Sequence, residues 1–258
     1  MGQVVLHIAE EHYKTAPEEV DRTIVTKADL EADRILKTEL TGQFPEYGWL
    51  SEETKSDDAR FKRQRVWIID PIDGTREYVL GIPEFAISVA LVDEGKPILG
   101  VVYNPLSGDL YTAVVGQGTT CNDKQVQCNH VPADKLKVEV SRSDIEKGRF
   151  DSYKSKMDLV PCGSIAYKLA RLSAGKADGT LSITPKNEWD IAAGILLVRE
   201  AGGTVTDLSG DEYQFNRKNT LVNGVIAASA GAYGMIKQMV EDNEERKQDV
   251  ESDSLRGG

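Results

Sequence analysis

Several things are scarce in this chain of 258 residues. It has three cysteines, Cys121, Cys128 and Cys162, an odd number with no C-x-x-C pair. That excludes a disulfide framework or a zinc knuckle and predicts buried thiols in a reducing cytoplasm. Basic residues are outnumbered, 31 against 42 acids, for a formal charge of −11. A nucleic-acid polymer or an anionic membrane requires a basic face, so neither is an expected partner. No apolar run approaches the roughly 18 residues of a membrane span. The first apolar cluster, Val4 to Ile8, lacks a basic flank and a cleavage site, so no signal peptide is expected. Histidine is limited to His7, His12 and His130, none beside the acidic motifs described below, and these read as surface residues.

What is present is ordinary for a folded soluble protein: 40% hydrophobic and 28% charged residues. Residues 1–240 read as one unit of two closely packed halves, about 1–135 and 136–240. Residues 241–258 carry seven acids and three bases with little apolar content and read as a frayed helix end and a disordered tail. Residues 27–41 space Leu30, Ile35, Leu36 and Leu40 as an amphipathic helix, and 3–13 form a weaker helical pattern. Residues 64–70 read as a strand ending at Pro71. Runs at 85–92, 97–105 and 110–115, separated by turn residues, predict an antiparallel meander. In the second half, a strand at 137–141, a polar helix at 143–156, a helix at 164–175, a strand at 179–184 and a buried helix at 189–203 alternate. Two further strands and a helix from about Gly231 close the chain. The class is therefore α+β, with a second sheet bearing helices on its faces.

The chemistry concentrates in Trp67-Ile68-Ile69-Asp70-Pro71-Ile72-Asp73-Gly74-Thr75. A hydrophobic strand delivers Asp70, Pro71 turns the chain, and Asp73 can converge with Asp70. Gly74 permits close backbone approach, and Thr75 stands where a helix would offer free N–H groups. Carboxylates plus a free carbonyl form the hard oxygen set that Mg²⁺ prefers. Taken alone, such a D-x-x-D-G is more often a turn with Asx caps. A glutamate pair, Glu52-Glu53, is usually a solvated face, and Asp190 after Trp189 could simply cap a helix start. Together, Glu53, Asp70, Asp73 and Asp190 come from three separated segments, as an all-oxygen multi-metal site would. Two such carboxylates about 4 Å apart repel by roughly 4 kcal/mol at an effective dielectric near 20, so the cluster calls for cations.

These residues resemble the inositol monophosphatase superfamily of Mg²⁺-dependent, lithium-sensitive phosphatases. The match covers nearly the whole chain: LSEET (50–54), WIIDPIDGT (67–75) and EWDIAAGILLVREAGG (188–203), in the family's order. The resemblance implies a layered α/β/α/β/α sandwich with two mixed or antiparallel sheets. It implies a first Mg²⁺ on Glu53, Asp70 and the Ile72 carbonyl and a second on Asp70, Asp73 and Asp190, with a third ion near Glu53. Gly74 and Thr75 would hold the substrate phosphate through backbone N–H groups, alongside Asp73 and Asp190. Asp29, in Thr26-x-x-Asp29, would accept from the Thr75 hydroxyl, the pair deprotonating the attacking water, with Glu52 behind the ligands. The implied reaction is phosphomonoester hydrolysis by metal-activated water, inhibited by Li⁺, in a monomer or homodimer. Other phosphatase chemistries lack their motifs: there is no C-x5-R loop, D-x-D-x-T or Walker A sequence.

For the substrate, LSEE, DGTREY, Ser141-Arg142-Ser143 and Lys168 resemble CysQ-type 3′(2′),5′-bisphosphate nucleotidases, which convert 3′-phosphoadenosine 5′-phosphate to AMP. Arg142 and Lys168 would then meet phosphate, with ordinary surface charge as the alternative. Asp144 after Ser143 and the segment Pro185–Glu188 depart from that pattern. Glu188 is then available for sugar hydroxyls and Lys186 for a phosphate. An inositol-1-monophosphatase or a broad sugar-phosphate phosphatase is the alternative, and a non-catalytic metal- and phosphate-binding protein the alternative of another class.

Overall fold

The computed structural model describes residues 22–55, 57–129 and 135–256. The histidines and the 3–13 pattern lie outside these residues. The chain opens with helix α1 (Arg22–Gln43) and strand β1 (Gly48–Ser51), followed by β2 (Arg65–Asp73) and the single-turn helix α2 (Thr75–Val79). The meander is β3 (Ala86–Asp93), β4 (Lys96–Asn104) and β5 (Asp109–Val114), with a hairpin of β6 (Thr119–Cys121) and β7 (Lys124–Val126) added at its edge. Seven strands form the first sheet in sequence order, β1 parallel to β2 and the rest antiparallel.

The second half supplies β8 (Leu136–Ser141), α3 (Arg142–Glu146), β9 (Met157–Cys162), α4 (Ile165–Ser173), β10 (Gly179–Ser182), β11 (Lys186–Asn187) and α5 (Glu188–Glu200). It ends with β12 (Gly203–Thr206), β13 (Leu221–Val222), β14 (Val225–Ser229) and α6 (Ala230–Arg256). Here the order is β12-β14-β10-β8-β9, a mixed sheet, with β11 and β13 forming a separate pair. Helix α6 continues through the stretch read from sequence as a tail, as far as Arg256.

Strand alternation explains the layering. Trp67 and Ile69 of β2 face α1, packing with Leu36 and Leu40, while Val66 and Ile68 face the opposite way. On that second face lie α4 and α5, both almost wholly buried between the two sheets, through Leu169, Ile195 and Leu197 toward Val225 and Ala227. Beyond the second sheet, Ile236 and Val240 of α6 cover Val138 and Ile226. The sandwich expected from the resemblance is thus present: helix, sheet, helix pair, sheet, helix.

Two further elements of the second half differ from the sequence reading. The polar helix expected at 143–156 ends after Glu146 and gives way at Gly148, which has φ of +70°, to a short 3-10 turn at Asp151–Tyr153. Strand β9 follows, with Pro161 tolerated because β9 is a sheet edge where a missing N–H costs no ladder bond. Among the described residues, all three cysteines are free and no helix is long and apolar enough to cross a membrane.

Candidate active site

Strand β2 does not stop at Pro71 but continues to Asp73 through a bulge. Asp70 pairs with Ser88 and Asp73 with Ala86, so Pro71 and Ile72 together oppose Ile87 alone. In a regular strand, residues three apart point to opposite faces. The extra residue cancels that and turns both carboxylates toward α4 and α5. Ser51 pairs with Ile69, and the Glu52 N–H donates to the Ile69 carbonyl at 3.2 Å, which brings Glu52 level with Asp70. From the other half, the Ser88 hydroxyl donates to the Trp189 carbonyl at 3.2 Å and holds the first turn of α5, with Asp190, against this end of the sheet.

Three of the acids have one oxygen fixed. The Ile72 N–H donates to Asp70 Oδ1 at 3.0 Å. Asp73 Oδ2 accepts from the Ser164 hydroxyl and the Ala166 N–H, both at 2.6 Å, so it caps the start of α4. Asp190 Oδ2 accepts from the Asn187 N–H at 2.8 Å. Burial and mutual repulsion push the acids up. Asp190 reaches about 8, through burial first and then Asp73. Glu52, at the open mouth of the cleft, reaches about 7 through desolvation, Asp73 and Glu53. Asp70 is held well above the carboxylate range by burial, then Asp73, Glu52 and Asp190. Asp73 is raised by burial, against the opposing effect of Ser164, Ala166, Lys168 and Lys186. Asp29, 6% exposed, reaches about 7 through burial, Glu53 and Glu52.

Among the described residues no three His, Cys, Asp or Glu side chains close on one point at ion-coordinating distance. The acids stand as a cluster of neighbours rather than a finished cage. Their chemistry nonetheless fits a hard cation. Glu52 and Asp70 are close enough to influence each other's protonation, so one of them is favoured in its neutral form unless a cation neutralises the pair.

The geometry changes several sequence-based assignments. Glu52 interacts with Asp70 and Asp73, while Glu53 feels Asp33 and Asp29, so Glu52 stands beside Glu53 as a candidate ligand. The Thr75 hydroxyl donates to the Ile72 carbonyl at 3.2 Å rather than to Asp29. Arg142 is engaged by both oxygens of Glu84 at 2.7 Å, which leaves it ion-paired rather than offered to a phosphate. Lys168, 3% exposed, donates to the carbonyls of Cys162, Gly163 and Ser164. Burial lowers its pKa. Glu188, fully buried, accepts from the N–H groups of Asn216 and Arg217 and from the Arg217 guanidinium, so it is not available to a sugar. Asp144 is turned away into an ion pair with Arg149.

Gly74 is where expected, at φ of +93°, with the Glu84 carbonyl 3.0 Å from where a Cβ would stand. Three contributors escaped the sequence reading. Asp33, one turn after Asp29 on α1, is buried and accepts from the hydroxyls of Ser51 and Thr54, pinning the glutamate loop. Its i, i+4 spacing from Asp29 was the available signal. Ser164, in a Gly-Ser pair before a helix, had the signature of an N-cap. Glu84 had none. A cavity of about 170 Å³ opens beside Asp73 and Asp190, lined by Ser141, Ser143, Ser182 and Lys186 among others.

The model of the inositol monophosphatase family matches residues 1–246. The chain belongs to that family. Its members are phosphatases that hydrolyse phosphate monoesters, generally with Mg²⁺. The chain is 35% identical to an inositol-1-monophosphatase of Mesorhizobium japonicum over 79% of its own length and 77% of that protein's. It is 37% identical to a fructose-1,6-bisphosphatase/inositol-1-monophosphatase of Thermotoga maritima, with 80% of each chain covered. The solved structure of the extragenic suppressor protein suhB from Bartonella henselae superimposes with a TM-score of 0.76 at 30% identity, covering 93% of this chain and 98% of that one.

Proposed function

We propose that this protein is a Mg²⁺-dependent phosphomonoesterase acting on a small phosphorylated polyol or sugar. The observation that carries the reading is the convergence of Glu52, Asp70, Asp73 and Asp190 from both halves beside the Gly74-Thr75 turn. These carboxylates and the Ile72 carbonyl would hold two or three ions. When bound, Mg²⁺ neutralises phosphoryl oxygens, lowers the pKa of water and stabilises the leaving alkoxide. The first N–H groups of a helix have no intrahelical partner, so those around Gly74 and Thr75 are suited to orient the phosphate. Asp29, buried and close enough to feel Glu53 and Glu52, is suited by position to the role of general base. The neighbouring serine hydroxyls and Lys186 suit a polyhydroxylated leaving group. Inhibition by Li⁺ follows from the family resemblance.

The nucleotidase reading drew on Arg142 and Lys168, and both are engaged within the protein. The relatives are named for inositol monophosphate and fructose bisphosphate, so a polyol or sugar phosphate is the better-supported class. A binding-only protein would have no use for a buried base such as Asp29. The test is phosphate release with Mg²⁺ from inositol 1-phosphate, fructose 1,6-bisphosphate and 3′-phosphoadenosine 5′-phosphate. Turnover should favour the first two, and Asp70→Asn should lower it by at least about 100-fold. Preference for the nucleotide overturns the substrate class; undiminished turnover by Asp70→Asn overturns the site.

A further inference from the structure

The buried lysine next to the acids lines the same cavity, yet its ammonium is spent on backbone carbonyls rather than offered to a ligand. Lys168 sits in the first turns of α4 and directs its ammonium back over the helix start, 3.2 Å from the Cys162 carbonyl, 2.6 Å from that of Gly163 and 3.2 Å from that of Ser164. All three ammonium protons can thus be matched by carbonyls of one turn. The same turn is gripped from outside by Glu84, whose Oε2 accepts the Gly163 N–H at 2.8 Å. Gly163 is itself hemmed in: a Cβ there would lie 2.6 Å from the Glu84 carbonyl and 2.5 Å from Glu77 Cγ. Held this way, Ser164 adopts φ of +26°, a region L residues rarely occupy. In that conformation its hydroxyl meets Asp73 Oδ2, and the Ala166 N–H meets the same oxygen.

The order of contacts is therefore ammonium, carbonyl turn, strained serine, carboxylate. We propose that Lys168 is a positioning residue: it holds the Cys162–Ser164 turn so that Ser164 fixes one oxygen of Asp73 and leaves the other aimed at the cation site. This rests on the metal reading above. Groups that orient a metal ligand without touching the ion typically change metal affinity by about 10–100-fold. The sign separates this role from a purely electrostatic one. Removing an ammonium near a cation site strengthens cation binding by Coulomb's law, whereas releasing the turn weakens it.

The experiment is calorimetric titration of the full chain with Mg²⁺, for wild type, Lys168→Met, Ser164→Ala and the double variant. Expected are Mg²⁺ dissociation constants about tenfold weaker in each single variant. The double variant should be no weaker than Lys168→Met, because both act through one contact. Substrate KM at saturating Mg²⁺ should move less than about twofold. Tighter Mg²⁺ binding by Lys168→Met, an unchanged dissociation constant with only a lower Tm, or a raised KM with unchanged Mg²⁺ binding each overturns the proposal. If Lys168→Met does not fold, Lys168→Gln, which keeps two N–H donors but no charge, is read by the same criteria. A wild-type chain that takes up no Mg²⁺ overturns the metal reading itself, a result separate from the behaviour of the variants.

Discussion

Where a chain leaves a strand, adjacent side chains point in opposite directions, and that alternation separates Glu52, against Asp70, from Glu53, nearest Asp33. Chemically identical substitutions should therefore differ in effect. Glu52→Gln is expected to lower kcat/KM for phosphate release by at least about 100-fold, through loss of a cation ligand. Glu53→Gln should cost no more than about tenfold, through its influence on Asp29 and the loop. Steady-state assays at several Mg²⁺ concentrations check both, and the reverse ranking would return the ligand role to Glu53. At this scale the sequence disclosed residue types and spacing but not partners. Asp70, Asp73 and Asp190 were legible because a local motif brackets each of them. Arg142, Lys168 and Glu188 were not, since their partners Glu84, the 162–164 carbonyls and Arg217 depend on how distant segments meet.

At the scale of elements, the turn after β2 is where backbone and chemistry constrain each other most. Gly74 combines a left-handed conformation with the Glu84 carbonyl 3.0 Å from its absent Cβ. Gly74→Ala should destabilise the protein by about 1–3 kcal/mol, read as a lower midpoint in urea. It should also displace the N–H groups of α2 and reduce activity by more than the stability loss alone would produce. A variant with wild-type midpoint and activity would remove the close-approach argument. Strongly periodic elements, α1, the meander and α5, stand in the structure nearly as the sequence predicted them. The 143–156 helix was misread because its polar residues carry no period that distinguishes a helix from a turn, and β9 because a proline in a short run argues against a strand unless that strand is an edge.

At the scale of the whole molecule, the acids couple folding to protons and cations. Asp29 and Glu52 at about 7 and Asp190 at about 8 stand above the ordinary carboxylate values of 3.8 to 4.5. Between roughly pH 4 and pH 8 the folded chain holds protons that the unfolded chain has released, so stability falls as pH rises through that window. Mg²⁺ replaces those protons. At one hundred times its dissociation constant a ligand adds about 2.7 kcal/mol, or roughly 5–10 °C in Tm for a protein of this size. Scanning calorimetry should show that gain at pH 8 and little of it at pH 5, where protons compete for the same oxygens; an equal gain at both would contradict the coupling. The order of layers was implied by the family resemblance rather than by periodicity, which shows that a helix is buried but not between which sheets.

The bulge in β2 has a consequence for how this strand tolerates change. Ahead of it, side chains are in phase with the α1 packing; after it, they are shifted by one position, and Asp73 joins the face of Asp70. Deleting Ile72 would keep every charge and leave both aspartates on one face, two positions apart, yet would straighten the ladder and remove the N–H that holds Asp70 Oδ1 and the carbonyl beside it. The strand thus behaves as a written line with one deliberate frameshift: upstream it is read by the hydrophobic core, downstream by the cleft. Drift in either part can be accommodated separately, provided the extra residue of the bulge is kept between the two aspartates.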